Sequence, residues 1–146
     1  MITRIAALAA SIAVLGLIPA SHGKEATQDY QRVVPLLNDT TTVLDQPLAY
    51  PQDGDAKIQS AIVTMLPGEE TGVHSHPYPT YGYILSGELT VTYPGGVRKV
   101  YKQGEAVMEA VNTLHNGRND GAEPVRILVV FMGVDGEANT LFPKKD

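Results

Sequence analysis

A chain of 146 residues, 43% of them hydrophobic, is long enough to close one core and short for more than one domain. A net charge of -5, with no basic run longer than Arg98-Lys99, argues against a nucleic-acid partner, because phosphate binding needs clustered Lys and Arg. There is no Cys, which excludes disulfides, thiolate ligands and a Cys nucleophile.

In chain order, Met1-Ile2-Thr3-Arg4 carries one positive charge and no acid, and Ile5 to Ile18 is apolar apart from Ser11. Pro19-Ala20-Ser21-His22-Gly23 is a small-residue exit. That order reads as a secretory signal peptide over residues 1–23, with cleavage after Ala20 or after Gly23. As a membrane anchor the run is short of the roughly 20 apolar residues that span a bilayer. The expectation is a periplasmic or secreted protein with no stable membrane insertion once the peptide is cut. Residues 24–39 show no clear period and read as an N-terminal arm, and residues 40–146 as the folded domain.

Within that domain, Gly and Pro fall between short apolar runs, the texture of strands joined by turns. Strands are predicted at Thr40–Leu44, Leu48–Tyr50, Lys57–Leu66, Thr80–Leu85, Leu89–Tyr93, Val97–Tyr101 and Ala106–Val111. Asn116-Gly117 and Asn119-Asp120-Gly121 read as turns. Val125–Met132 is the longest apolar run of the domain and is predicted to be a fully buried strand. Residues 133–146 read as a trailing strand or arm. No helical period appears after residue 23. Eight or more short strands imply a sandwich or small barrel.

The chemistry concentrates at His74-Ser75-His76. On extended backbone, alternate side chains share a face, so the two imidazoles aim at one point. His115 lies beyond two strand-like runs that can fold back over them. Three converging neutral imidazoles make a divalent transition-metal site. Glu109 shares strand parity with Val107, and a carboxylate turned into a barrel is costly unless it is paired or metal-bound. Glu109 is therefore either a fourth ligand or base in the cavity, or a solvated residue at the rim. Thr80, Gly82 and Ile84 share a face. Thr80 and Gly82 are the candidate substrate contacts, with Gly82 either leaving room for a ligand or marking a bend in the barrel. Asn119 is expected to cap a turn, and Arg118 to pair with an acid such as Glu123.

Two spacings carry a resemblance. The first is Gly68, five residues, His74-Ser75-His76, three residues, Thr80, six residues, Gly87. The second is Gly104, five residues, Ala110-Val111-Asn112, two residues, His115, three residues, Asn119. Both resemble the paired motifs of the cupin superfamily, and Tyr83–Leu89 is similar to the corresponding run of small secreted monocupins. The resemblance implies an all-β cupin double-stranded β-helix, or jelly-roll barrel. It implies a site that takes one divalent metal (iron, manganese, copper or zinc) and a small-molecule ligand, and pairing of two barrels into a homodimer. The chain departs from the motif where the family usually places a metal-binding Glu, here Thr80, and where Pro and Gly are usual, here Ala110 and Asn112. A set of three His without that Glu resembles catalytic zinc sites and the iron site of cupin dioxygenases. The resemblance thus implies an oxygen-dependent dioxygenase, or else a barrel that binds a metal or small ligand without catalysis.

Overall fold

The computed structural model describes residues 33–144; the expected signal peptide and most of the expected arm lie outside them. Seven strands follow one another: β1 (Ala56–Met65), β2 (Thr80–Ser86), β3 (Glu88–Thr92), β4 (Arg98–Lys102), β5 (Ala106–Met108), β6 (Asn116–Arg118) and β7 (Val125–Val134). They form an antiparallel four-stranded sheet in the order β1-β7-β2-β5 and a three-stranded sheet in the order β4-β3-β6. The described residues are all-β, two antiparallel sheets enclosing one core.

The alternation in β1 and the β-branched run in β7 explain why these two pair over ten residues, from Ala56 opposite Val134 to Met65 opposite Val125. β7 also pairs with β2, and a register shift between Ile84 and Ser86 bends that ladder. Inward parity then selects Met65, Ile84, Leu89, Val91, Val125 and Ile127 as core. The turn from β2 to β3 requires Gly87. Its φ is 79°, and a Cβ there would lie 2.8 Å from the Pro124 carbonyl oxygen.

Several elements differ from expectation. Thr40–Leu44 and Leu48–Tyr50 are not strands: a tight turn brings Thr41 and Pro47 into a single bridge. Asn116-Gly117, read as a turn, is the start of β6, which pairs with β3. Crowding does not dictate the glycine there, since a Cβ at Gly117 would meet Leu89 and Thr71 at an ordinary 3.5 Å; the pairing with β3 makes the strand. β5 stops at Met108 instead of running to Val111, so seven strands stand among the described residues where eight or more were expected. β7 is not buried throughout. Val125 and Ile127 are buried while Arg126 is exposed, because an antiparallel sheet needs only one apolar face. After Val134 the chain turns at Gly136 (φ 82°) and returns to bridge Ser75 through Leu141.

Candidate metal centre

His74 and His76 sit on extended backbone that makes single bridges and no continuous strand. His74 bridges His115, with reciprocal main-chain bonds of 2.9 and 2.8 Å, and His76 bridges Val111. The His74–His115 pair places two imidazoles directly opposite each other, and the two-residue step to His76 brings in the third. Ring centroids lie 4.9 Å (His74–His76), 4.5 Å (His74–His115) and 5.2 Å (His76–His115) apart. One nitrogen from each ring lies within 4.8 Å of the others, and all three residues are buried. The turn leading to His115 uses Asn112 at φ 51°, a left-handed conformation that Asn adopts readily.

Hydrogen bonds decide which nitrogens face the centre. Each Nδ1 lies against a backbone carbonyl: Gly72 at 2.8 Å for His74, Asn139 at 2.9 Å for His76 and Thr113 at 2.9 Å for His115. A carbonyl only accepts, so each Nδ1 carries the proton and each Nε2 is left with its lone pair. Burial holds all three imidazoles below their ordinary pKa, His76 at about 4, so the rings are neutral at pH 7.

Glu109 enters from the strand beside Thr80. Its N–H donates to the Thr80 carbonyl at 2.8 Å, which continues the β2–β5 ladder by one residue and sets Glu109 opposite Thr80. The carboxylate lines the cavity with 13% of its side chain accessible. Tyr93 donates its hydroxyl to Oε2 at 3.0 Å, and the same oxygen lies 3.8 Å from His115 Nε2. Burial raises the pKa of Glu109 against the opposing effect of Tyr93. Burial also raises the Tyr93 hydroxyl, so it stays protonated and donates. A carboxylate oxygen facing an imidazole lone pair in a buried place needs a proton or a cation between them. Three aligned lone pairs and this carboxylate suit a divalent ion: the donor chemistry fits.

The cavity beside the imidazoles measures ≈ 190 Å³ and is walled chiefly by apolar side chains, among them Val63, Val107, Val129 and Phe131. Thr80 lines it, fully buried, its hydroxyl bonded to the Tyr78 carbonyl at 3.1 Å. Gly82 lines it too, but Val107 already packs over Gly82, and an added Cβ would lie 3.2 Å from Val107 Cγ1. Asn119 is buried and ties its turn together, donating to Met65 O and Glu123 O and accepting from Gly121 N–H. Arg118 pairs with Asp120 at 2.8 Å and not with Glu123.

Four contributors went unread in the sequence: Tyr93, Phe131, Thr140 and Phe142, of which the last three line the cavity. Strand parity from Leu89 and Val91 reaches Tyr93, and parity from Ile127 and Val129 reaches Phe131, so these two were readable. Thr140 and Phe142 follow irregular chain that carries no period.

Residues 61–131 match the cupin domain family. No curated protein matches the chain by sequence. Among solved structures, the fold is similar to that of the DMSP lyase DddQ from Ruegeria pomeroyi DSS-3 (25% identity, TM-score 0.50, covering 57% of this chain and 42% of that one). It is similar to a structure from a study of the DMSP lyases RdDddP and RnDddQII (16%, TM-score 0.52, 60% and 44%). It is also similar to BH2720 from Bacillus halodurans (19%, TM-score 0.50, 57% and 68%). This chain thus spans less than half the length of either lyase chain. With the family match, the two sheets and the three-histidine cluster in hand, residues 61–131 form a cupin domain, and the fold is that of the cupin double-stranded β-helix.

Proposed function

We propose that this cupin holds one divalent transition metal on His74, His76 and His115, with Glu109 as the fourth protein ligand, and acts as a dioxygenase on a small, largely apolar organic molecule. The observation that carries the metal reading is the set of three carbonyl-anchored Nδ1 atoms, which leaves three buried Nε2 lone pairs converging. Glu109 stands one strand over from the place where the family's Glu is replaced by Thr80, so the carboxylate reaches the same neighbourhood from the neighbouring strand.

The cavity supports the substrate class. Among the described residues no Lys or Arg lines it, so apart from the metal itself no cationic side chain would hold a phosphate or the far end of a dicarboxylate. Its ≈ 190 Å³ is below the roughly 300 Å³ at which drug-sized sites begin. The fitting ligand is compact and apolar, with an oxygen-bearing end that meets the imidazoles. A bound divalent ion would supply a Lewis acid for that end and, if it is iron, manganese or copper, a redox partner for dioxygen. The protein's own part is to exclude water with its apolar walls and to orient the ligand against Thr80. Glu109, held by Tyr93, is placed to take a proton from an enol or phenol.

A second reading, a non-catalytic barrel that binds metal or a small ligand, is favoured by Thr80 standing where cupins that use the motif Glu as a base would have it. Export to the periplasm or beyond is part of the proposal, resting on residues 1–23. So is a homodimer, resting on β1: among the described residues this ten-residue strand has one unpaired edge, and it exposes Ile58 and Ile62. Elemental analysis of protein from its native compartment, then oxygen uptake with catechol, flavonol and diketone panels, separates the readings. Metal with turnover supports the dioxygenase. Metal without turnover of any panel member leaves the binding protein, and protein that takes up no metal overturns both metal readings.

A further inference from the structure

Two of the three imidazoles are held from nearby, and the third is not. His74 and His115 each donate Nδ1–H to the carbonyl two residues earlier, Gly72 and Thr113. His76 donates to the carbonyl of Asn139, 63 residues away. Its orientation therefore depends on whether the C-terminal segment is in place.

That segment is docked by several contacts. Leu141 and Ser75 exchange two main-chain bonds of 2.9 Å. Asn139 donates Nδ2–H to Gln59 Oε1 at 3.1 Å, and its Oδ1 is buried against Gly133 without a hydrogen-bond partner. A Cβ at Gly133 would collide with that oxygen and crowd the Tyr78 ring, so a side chain there must displace the Asn139 side chain from its seat. The same segment reaches the cavity. Thr140 Oγ1 lies 3.4 Å from His76 Nδ1, and Phe142, 67% exposed, lines the cavity with its ring 6.1 Å from that of His74. A cavity-lining ring that is also exposed marks where the cavity meets solvent.

We propose that residues 139–142 are a positioning strap: the Asn139 carbonyl sets His76 for the metal, and Phe142 forms the solvent-side wall of the same cavity. This rests on the metal-binding reading above. Partners that orient a metal-ligating His are commonly worth 10–100-fold in metal affinity. Loss of the strap keeps the Nδ1 anchors of His74 and His115 and removes that of His76, together with the Ser75–Leu141 main-chain pair.

The test is Co²⁺ affinity, measured by competition with a chromophoric chelator, with the visible Co²⁺ spectrum as second readout. The proteins are the whole chain, the chain ended after Glu137, Gly133→Ala in the whole chain, and His76→Ala with and without the truncation. The expected result is a loss of about 10–100-fold on truncation, with an altered Co²⁺ spectrum and an unchanged far-ultraviolet dichroism. Gly133→Ala, which displaces the Asn139 side chain that docks the strap while keeping every other residue, shifts affinity in the same direction and keeps the proposal testable if the shortened chain fails to fold. In the His76→Ala background, truncation costs no further affinity, because the strap acts through that ring. Equal affinity of whole and truncated chains would overturn the strap. So would an equal loss with and without His76, which marks a general loosening of the barrel. A whole chain that binds no Co²⁺ overturns the metal reading itself, a result distinct from either.

Discussion

At the scale of single residues, Glu109 is where sequence, packing and chemistry meet. It is buried with one protein hydrogen bond, from Tyr93, and faces an imidazole lone pair. Without a cation, that arrangement opposes folding, so Glu109→Gln has effects of opposite sign. In metal-stripped protein the neutral amide relieves the desolvation of a carboxylate and stabilises the fold by about 1–2 kcal/mol. In the same variant metal affinity falls at least tenfold. Thermal melts in chelator and a metal titration check the pair; a stripped Glu109→Gln that melts lower than the stripped parent would contradict it. Tyr93→Phe removes the one donor to the carboxylate among the described residues and should cost about 1–3 kcal/mol in the metal-loaded protein, read from denaturant unfolding.

Much of this was legible residue by residue. Alternation alone set His74 and His76 on one face, while parity with Val107 left Glu109 open between the cavity and a solvated rim. What could not be read was long-range: that Asn139 lends its carbonyl to His76 is a fact of tertiary structure, and no local pattern encodes a backbone acceptor 63 residues away. Gly82 was readable only as a choice between space and bend, and the outcome turned on a neighbour across the sheet, Val107.

At the scale of elements, the three buried imidazoles tie the His74–His76 segment and the stretch around His115 that it bridges to pH. Their folded pKa values are lowered, His76 to about 4, while in the unfolded chain they titrate near 6.5. Above about 6.5 the rings are neutral in both states, and stability is fully present. As pH falls from about 6.5 toward 4, the unfolded chain binds protons that the folded chain refuses, and stability is lost. Glu109, with its raised pKa, acts in the opposite direction, so the effect is clearest in Glu109→Gln. Metal-stripped Glu109→Gln should melt lower at pH 5 than at pH 7, and equal melting temperatures would refute the assignment of neutral buried rings. The turn at Gly87 gives a separate handle: Gly87→Ala forces a Cβ into the Pro124 carbonyl at positive φ and should cost about 1–3 kcal/mol, seen as a lower denaturant midpoint with unchanged slope. Elements rich in β-branched residues, such as β1 and β7, were predictable. The errors fell where pairing partners decide: Thr40–Leu44 has strand-forming residues but makes a single bridge, and Asn116-Gly117 has turn residues but lies against β3.

At the scale of the whole molecule, the fold was visible through motif spacing more than through strand counting. The distances from Gly68 to Gly87 and from Gly104 to Asn119 survive even where Thr80, Ala110 and Asn112 replace the usual residues, because spacing fixes which loops meet. The free edge of β1 leads to a prediction at this scale. If two copies pair there, the protein runs as a dimer in sedimentation equilibrium, and Ile62→Lys on the exposed face shifts it to monomer without lowering metal content. A wild-type monomer at micromolar concentration would remove the dimer from the account.

The reciprocal bonds between His74 and His115 have one more consequence. Peptide groups, not an ion, draw these two rings together, so the barrel resembles a socket that keeps its shape when the plug is pulled. Small zinc domains collapse on chelation because their ion is their core; here the ion would be a replaceable fitting. One batch of protein should therefore pass from iron to copper and back by dialysis alone, with no refolding step, and the occupant would follow whichever ion its surroundings supply.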